Sequence, residues 1–339
     1  MRNFLIGLFL FVFSASFSQS ITGIVVDDKD EPLPGATVYF DGSSYGTTTN
    51  SDGEFKITIP SQISASLVIS YVGFDKAYFN NLQFDKRYKI VLKESTENLK
   101  EIVLTDNKFT RREMLAIFRN QFLGSTTAGN KCKINNEDEI YFSYDNDKFI
   151  LTAYADKPLI IDNPYLGYKV FFDLSTFETK FSVFSIERSN VYSSIYVGTS
   201  RFVEVDNSKR KLKNREKVFK GSFLELFRNI GNKKWGKESF LLFKGKFQDI
   251  PDENFMIKDT LGVKQVFIKP QVRDFKVKDF VAEFSLLYNR REQSKIIFYT
   301  DNFIIDRYGL FSKYDKIYFS GALSEKKVGD MLPSNYGIE

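Results

Sequence analysis

The chain has 339 residues, a length that suits two domains, and its 36 Phe and 18 Tyr are enough for a sizeable core. It contains no histidine, which excludes Ser-His-Asp and Cys-His catalysis, HExxH zinc sites and imidazole ligation. The formal charge of +5 is unevenly spread: residues 19–106 hold 13 acidic and 8 basic residues, whereas the remainder is strongly basic, most of all between Arg201 and Lys237.

Residues 1–18 begin Met-Arg-Asn, continue as an apolar run from Phe4 to Phe13 and end in Ser16-Phe17-Ser18. A short basic start, an apolar core and small residues at −3 and −1 predict an export signal cleaved before Gln19. The run is too short for a spanning helix, which needs ~20 residues. No cysteine stands at the cleavage point to carry a lipid. The expected location is therefore the periplasm or the outer membrane.

Residues 21–59 then set the architecture. Ile21 to Val26 reads as a strand with both faces partly apolar. Asp27 to Gly35 is a turn run in which Pro32 and Pro34 fix φ, and Ala36 to Phe40 alternates as a second strand. Asp41-Gly42 and Asp52-Gly53 are hairpin signals, and Phe55 to Ile59 is a period-2 strand ended by Pro60. Short strands divided by turns at this spacing predict an antiparallel sandwich able to close on its own. The acidic residues Asp27, Asp28, Asp30 and Glu31 fit either a solvated turn or a calcium loop without EF-hand spacing.

The pattern formed by Gly23, Val25, Asp27, Pro32 to Val38, Thr49, Asp52, Gly53 and Phe55 resembles the carboxypeptidase regulatory-like domain. Leu67 to Phe74 and Ile90-Val91-Leu92 match its later strands, so the resemblance covers residues 20–93. It implies a seven-stranded transthyretin-like sandwich that is non-catalytic despite its name. Such domains are frequent at the front of Bacteroidota envelope proteins, including TonB-dependent transporters.

Residues 94–108 form a polar linker. Within it Leu99 to Leu104 resembles the stretch that precedes a transporter plug. No plug follows and too few residues remain for a transporter barrel, so a transporter is not expected. Residues 109–336 are read as a mostly-β (α+β) domain with short helices. Thr110 and Glu113 form a capping box, Met114, Ile117, Phe118 and Phe122 share one helical face, and Gly124 stands at the C′ position. Strands are predicted over residues 139–144 and 148–155 as a hairpin, then over 166–177, 180–187 and 192–205. Two helices follow, roughly 208–219 and 223–230, the second capped by Ser222 and Glu225, with Leu212, Phe219, Phe223, Leu226, Phe227 and Ile230 directed at the body of the domain. Further strands are predicted over residues 239–247, 263–269, 280–288, 295–299 and 317–320.

Phe122-Leu123-Gly124, Cys132-Lys133-Ile134, Lys157 to Ile161, Leu166-Gly167-Tyr168, Lys220-Gly221-Ser222 and Met331 to Tyr336 resemble a recurrent Bacteroidota region that follows the same sandwich. That region has no assigned activity, so the resemblance carries over architecture and no catalytic residue. A histidine expected within Ser222 to Phe227 is missing.

The remaining chemistry is sparse. Cys132 can form no intramolecular disulfide, and with no imidazole to activate it reads as an inert buried thiol. No cofactor, metal or catalytic residue is expected. The basic residues Lys209, Arg210, Lys213, Arg215, Lys217 and Lys220 are candidates for an anionic partner, either acidic lipid or glycan, or for an envelope protein; the bland alternative is a solvated helix face. Nucleic acid is not expected outside the cytoplasm. The preferred function is a non-catalytic exported binding or structural module of the envelope. The rivals are a histidine-independent carboxylate hydrolase acting on envelope glycans and a small outer-membrane β-barrel, the latter opposed by the charged stretches 275–279 and 284–291.

Overall fold

The structure, a computed structural model, describes residues 19–59, 63–80, 82–95, 108–260, 262–271 and 278–338. The export signal, the Leu99–Leu104 segment and most of the charged stretch 275–279 lie outside the described residues. The chain is mainly β, as its sequence predicts.

The first seven strands are β1 (Gln19–Val26), β2 (Thr37–Phe40), β3 (Gly46–Thr48), β4 (Glu54–Ile59), β5 (Leu67–Ser70), β6 (Ala77–Phe79) and β7 (Arg87–Val91). They form two sheets, β4-β1-β7 and β3-β2-β5-β6. β1 is central, antiparallel to β4 and parallel to β7. Ile21 and Val25 on its inner side meet Val38, Phe40, Ile57 and Ile69 from both sheets, which is the alternation that a half-buried strand requires.

Neither Asp-Gly pair makes a two-residue hairpin. Asp52-Gly53 carries the chain from one sheet to the other, and Asp41-Gly42 lies in a longer β2–β3 loop closed by Phe40 N–H donating to Tyr45 C=O at 3.0 Å. Nor is the core closed by the sandwich's own residues. Tyr308, from far along the chain, is fully buried in it, with Leu310 and Ile338 packed beside.

The second body holds α1 (Arg111–Leu123), β8 (Lys133–Ile134), β9 (Ile140–Asp145), β10 (Ile150–Ala155), β11 (Leu159–Asn163), β12 (Tyr168–Phe181) and β13 (Val191–Glu204). The α1 capping box forms in both directions. β12 is long enough for one edge to take β11 along its first half and β10 along its second, while β13 pairs with the other edge throughout. The predicted break between residues 177 and 180 is absent, because Phe177, Thr179 and Phe181 stay buried in an unbroken alternation. Residues 182–187, predicted as strand, are a loop. α1 lays Phe118 and Phe122 on this sheet, against Phe142, Phe172 and Phe177.

The third body comes after α2 (Lys209–Phe219) and α3 (Phe223–Gly231), both within a residue of their predicted bounds. It comprises β14 (Phe240–Lys244), β15 (Phe247–Gln248), α4 (Pro251–Asn254), β16 (Phe255–Thr260), β17 (Val263–Ile268), β18 (Ala282–Tyr288), β19 (Glu292–Phe298), β20 (Asn302–Asp306) and β21 (Ile317–Gly321). Two sheets, β15-β14-β18-β19-β21 and β16-β17-β20, share a core with Leu226, Phe227 and Ile230 of α3. The described strands of residues 130–330 thus lie in three sheets around two cores rather than in one closed barrel, against the barrel alternative.

The C-terminal stretch 328–338 touches both the second body and the sandwich. Val328 and Leu332 enter the second body, Ile338 packs on the sandwich, and Ser334 N–H donates to Gly42 C=O at 2.7 Å. Asn163 Nδ2 donates to Gly329 C=O at 2.9 Å.

Gly53 gives a direct test of the sandwich. Its φ is +72°, and a Cβ there would lie 2.6 Å from Val25 O. Gly53→Val is expected to lower stability by at least ~1–3 kcal/mol, from left-handed strain plus displacement of β1. Urea unfolding of the full chain measures it; an unchanged midpoint would refute the assigned turn.

Candidate functional site: a cationic helix beside a three-body junction

α2 docks by polar contacts. Arg215, 2% exposed, donates from Nε to Leu166 C=O at 2.7 Å and from Nη2 to Asp206 C=O at 2.7 Å and Gly167 C=O at 3.3 Å. Its Nη1 pairs with the Glu204 carboxylate, and the guanidinium lies 4.0 Å from the Tyr168 ring centroid. Asn214 Nδ2 donates to Tyr165 C=O at 2.8 Å, and Lys211 Nζ reaches Pro164 C=O. Residues 211, 214, 215 and 218 therefore form the inward face, spaced at three and four. Leu212, a step of about 100° away, is left 47% exposed, against the expectation that it faces the body.

This sorts the candidate cations. Arg215 is removed from the set, because its donors are spent on main-chain carbonyls inside the protein. Lys220 is exposed but held by Glu216 at 2.6 Å, an i,i+4 pair. Lys209, Arg210, Lys213 and Lys217 are exposed, and no carboxylate pairs with them among the described residues. Lys209, Lys213 and Lys217 form one stripe, as the spacing predicts.

Their placement is locally unfavourable. Lys209, Arg210 and Lys211 occupy the first turn of α2, where the helix dipole is positive and where no acidic residue stands. Cations there cost a few tenths to about 1 kcal/mol each. Like charges at i,i+4 add a smaller cost.

α3 begins with half of the predicted capping box. Ser222 Oγ accepts from Glu225 N at 3.1 Å, but the Glu225 carboxylate accepts from Gly221 N at 2.6 Å, one residue early. Arg228 then binds three carbonyls: Tyr308 at 3.1 Å, Tyr336 at 2.8 Å and Ser334 at 2.7 Å. Burial lowers its pKa to about 10, with Asp306 opposing the shift. Asp306 accepts through Oδ1 from Tyr308 N and Leu310 N, and through Oδ2 from Ser64 N of the sandwich.

The sandwich docks on the second body through a second polar cluster, which sequence reasoning missed. Tyr39 Oη donates to Asp173 Oδ2 at 3.1 Å and lies 3.2 Å from Thr199 Oγ1, while Lys76 pairs with Asp173. Asp41 Oδ1 accepts from Ser200 N at 2.7 Å. Burial pushes the Asp41 carboxyl up to about 6, and nearby Asp173 adds to the rise. Tyr39 is raised too, chiefly by burial. The residue types carry no spacing signal, since Asp41 and Asp173 meet only in space.

A groove of about 500 Å³ on the five-stranded sheet of the third body is lined by Phe243, Ser285, Leu287, Gln293, Lys295 and Ser320 among others, with no Asp or Glu. Burial pushes the Cys132 thiol up to about 12, so it is not a thiolate near neutral pH. In the acidic turn, Asp27 Oδ1 accepts from Lys29 N at 2.9 Å and Glu31 N at 2.8 Å, which closes the turn on itself.

The model of the CarboxypepD_reg-like domain matches residues 21–104, the sandwich and most of the linker behind it. Residues 21–104 are a CarboxypepD_reg-like domain. The chain is 34% identical over 100 residues to the TonB-dependent receptor SusC of Bacteroides thetaiotaomicron, covering 29% of this chain and 9% of the receptor. It is 37% identical over 98 residues to the TonB-dependent receptor P26 of Formosa agariphila, covering 28% of this chain and 9% of that protein. The chain thus spans less than a tenth of the receptors it matches, and the shared part is homologous to their N-terminal region. Among solved structures, a cohesin–X-dockerin complex of Acetivibrio cellulolyticus aligns at 18% identity over 32% of this chain and 76% of that one, with a TM-score of 0.22, too low to define a shared fold.

The junction makes a pH prediction. Asp41 has a folded pKa of about 6 against an ordinary 3.8, so the folded protein favours its protonated form. That contribution is complete below the ordinary value and is lost as pH rises through the folded one. Stability attributable to Asp41 should therefore fall by up to about 3 kcal/mol as pH rises across this window. Asp41→Asn, which keeps an acceptor for Ser200 N, should remove that fall and be the more stable chain at neutral pH. Urea midpoints of both proteins across the range are the measurement.

Proposed function

We propose that this protein is a non-catalytic module of the bacterial cell envelope, and that the exposed stripe of α2 holds it to an anionic envelope surface. The observation that carries the envelope reading is the CarboxypepD_reg-like domain, shared with TonB-dependent receptors. The Ser16-Phe17-Ser18 export signal supports the same address. The absence of histidine, the raised Cys132 thiol and a groove without carboxylates support a role in binding rather than catalysis.

The stripe is supported by a violated local rule. A helix selected only for stability would place acids, not Lys209 and Arg210, at its first turn. Lys209, Arg210, Lys213 and Lys217 lack internal partners among the described residues, so their charge is available to solvent. Exposed Leu212 beside them gives the face an apolar element, which suits acidic lipid headgroups above a hydrocarbon boundary better than a glycan.

Exchanging Lys209, Lys213 and Lys217 for Glu together should leave the unfolding free energy within about 1 kcal/mol of the parent's, because all three are exposed. The same variant should lose co-sedimentation with vesicles containing phosphatidylglycerol. The parent should bind those vesicles at low salt, release them at high salt, and ignore phosphatidylcholine vesicles. Binding to an acidic polysaccharide but not to vesicles would reassign the stripe to glycan. Equal binding by parent and variant would return it to a solvated face. Arg215→Glu, by contrast, should unfold the α2 docking site whatever the stripe does, since it buries a carboxylate among carbonyls.

A further inference from the structure

We propose that a second copy of this chain pairs with the open half of β13, joining the two six-stranded sheets across a two-fold axis. β13 is bound along its inner side by β12 over its whole length. Its outer side is already used for main-chain pairing near one end. Gly42 N donates to Ser200 C=O at 2.7 Å, and Phe202 N donates to Ser43 C=O at 3.0 Å, making a parallel bridge between Ser43 and Arg201. The backbone groups of Ser200 and Phe202 therefore face outward. By the alternation of an extended strand, those of Ser194, Tyr196 and Gly198 do so as well. Among the described residues nothing pairs with the outer side from Val191 to Gly198.

That free edge has one of the usual guards, a β-bulge at Tyr192 where the register with β12 shifts, and lacks the others. No charged residue and no proline stands between Arg188 and Arg201, in a chain that is 27% charged. Natural sheets protect exposed edges with Lys, Pro, inward charges or a covering segment, because a bare edge is a template for another strand. Val191 to Val197 instead carries β-branched and aromatic residues, with Tyr192 74% and Ile195 49% exposed.

The stretch complements itself. An antiparallel pairing with the two-fold through Ser194 sets Ser193 of one copy opposite Ile195 of the other. Each strand then stops short of Ser200, where the sandwich loop sits, so both loops keep their places. The same register brings Tyr192, in the bulge at the outer end of the pairing, toward Tyr196, and no like charges face each other. An interface of this kind is isologous, and it uses the same edge to which the sandwich loop is bonded farther along.

The test is the mass of the full chain by sedimentation equilibrium, beside Ser194→Pro and Ile195→Lys. The Ser194 N–H points away from β12, so proline there leaves the inner ladder intact. The parent is expected to be a dimer. Both variants are expected to be monomers with circular dichroism like the parent's; Ile195→Lys should keep the parent's unfolding midpoint, Ser194→Pro should lower it because buried Thr179 loses the Ser194 hydroxyl 3.1 Å away, and the Tyr196 and Gly198 amides should exchange with solvent faster in both. A parent that is monomeric at every concentration overturns the proposal. Protected Tyr196 and Gly198 amides in that monomer would mean that the chain covers its own edge. A dimer that survives both substitutions uses another surface and also overturns it.

Discussion

Three main-chain carbonyl oxygens, from Tyr308, Ser334 and Tyr336, converge on the guanidinium of Arg228. Each belongs to a segment with no regular structure to satisfy it, and each would otherwise be lost to solvent in a partly buried place. A planar group with five donors can serve several such acceptors at once, where an ammonium would serve them as a point charge. The bonds fix the C-terminal stretch against α3 and the β20 turn. That turn in turn delivers Tyr308 to the sandwich core. The stretch then reaches back to the sandwich through Ser334 N–H on Gly42 C=O and Asn335 on Ser44. The three hydrophobic cores are thus joined by polar contacts whose geometry is specific, rather than by one merged apolar interface.

Arg215 does the same work one helix earlier, and together the two arginines explain which parts of the chain were legible. Signals confined to a few neighbouring residues could be read: the Thr110–Glu113 cap, the ends of α2 and α3, the alternation of β1 and β4, and the Lys209, Lys213, Lys217 stripe. The continuation of β12 through Phe181 was missed because its polar residues, Glu178 and Lys180, resemble a turn until Thr179 is seen to be buried between them. β16 was missed because only Phe255 in it is fully buried, so its alternation is faint. Asp41 and Asp173 meet across 132 positions, and no local pattern announces that.

The misplacement of Leu212 has a more general cause. A helix is oriented from sequence by assuming that its apolar residues point inward. α2 has few of them, and the turn at residues 163–168 offers it unsatisfied carbonyls instead. Lys211, Asn214 and Arg215 answer those carbonyls, so the inward face is polar and Leu212 is turned out. A basic run in a sequence therefore mixes two populations. One part is bound to carbonyls and sets the structure, and the other is left facing solvent. Charge counting cannot separate them, whereas burial does so at once.

The sandwich loop and α2 are attached to the same strand end. The sandwich loop attaches at Ser200 to Phe202 of β13, and Arg215 of α2 reaches Glu204 and Asp206 just beyond. Only a few residues of extended backbone separate the attachments, and β12 backs them through its pairs with Arg201, Phe202 and Glu204. Extended chain in a ladder is stiff along its length, so the direction of the cationic stripe relative to the sandwich is set by a short rigid element and not by the linker between them. The angle between the cationic stripe and the sandwich is therefore a fixed property of the fold. The buried polar bonds on both sides of the strand end provide it, since each is costly to break without a replacement partner.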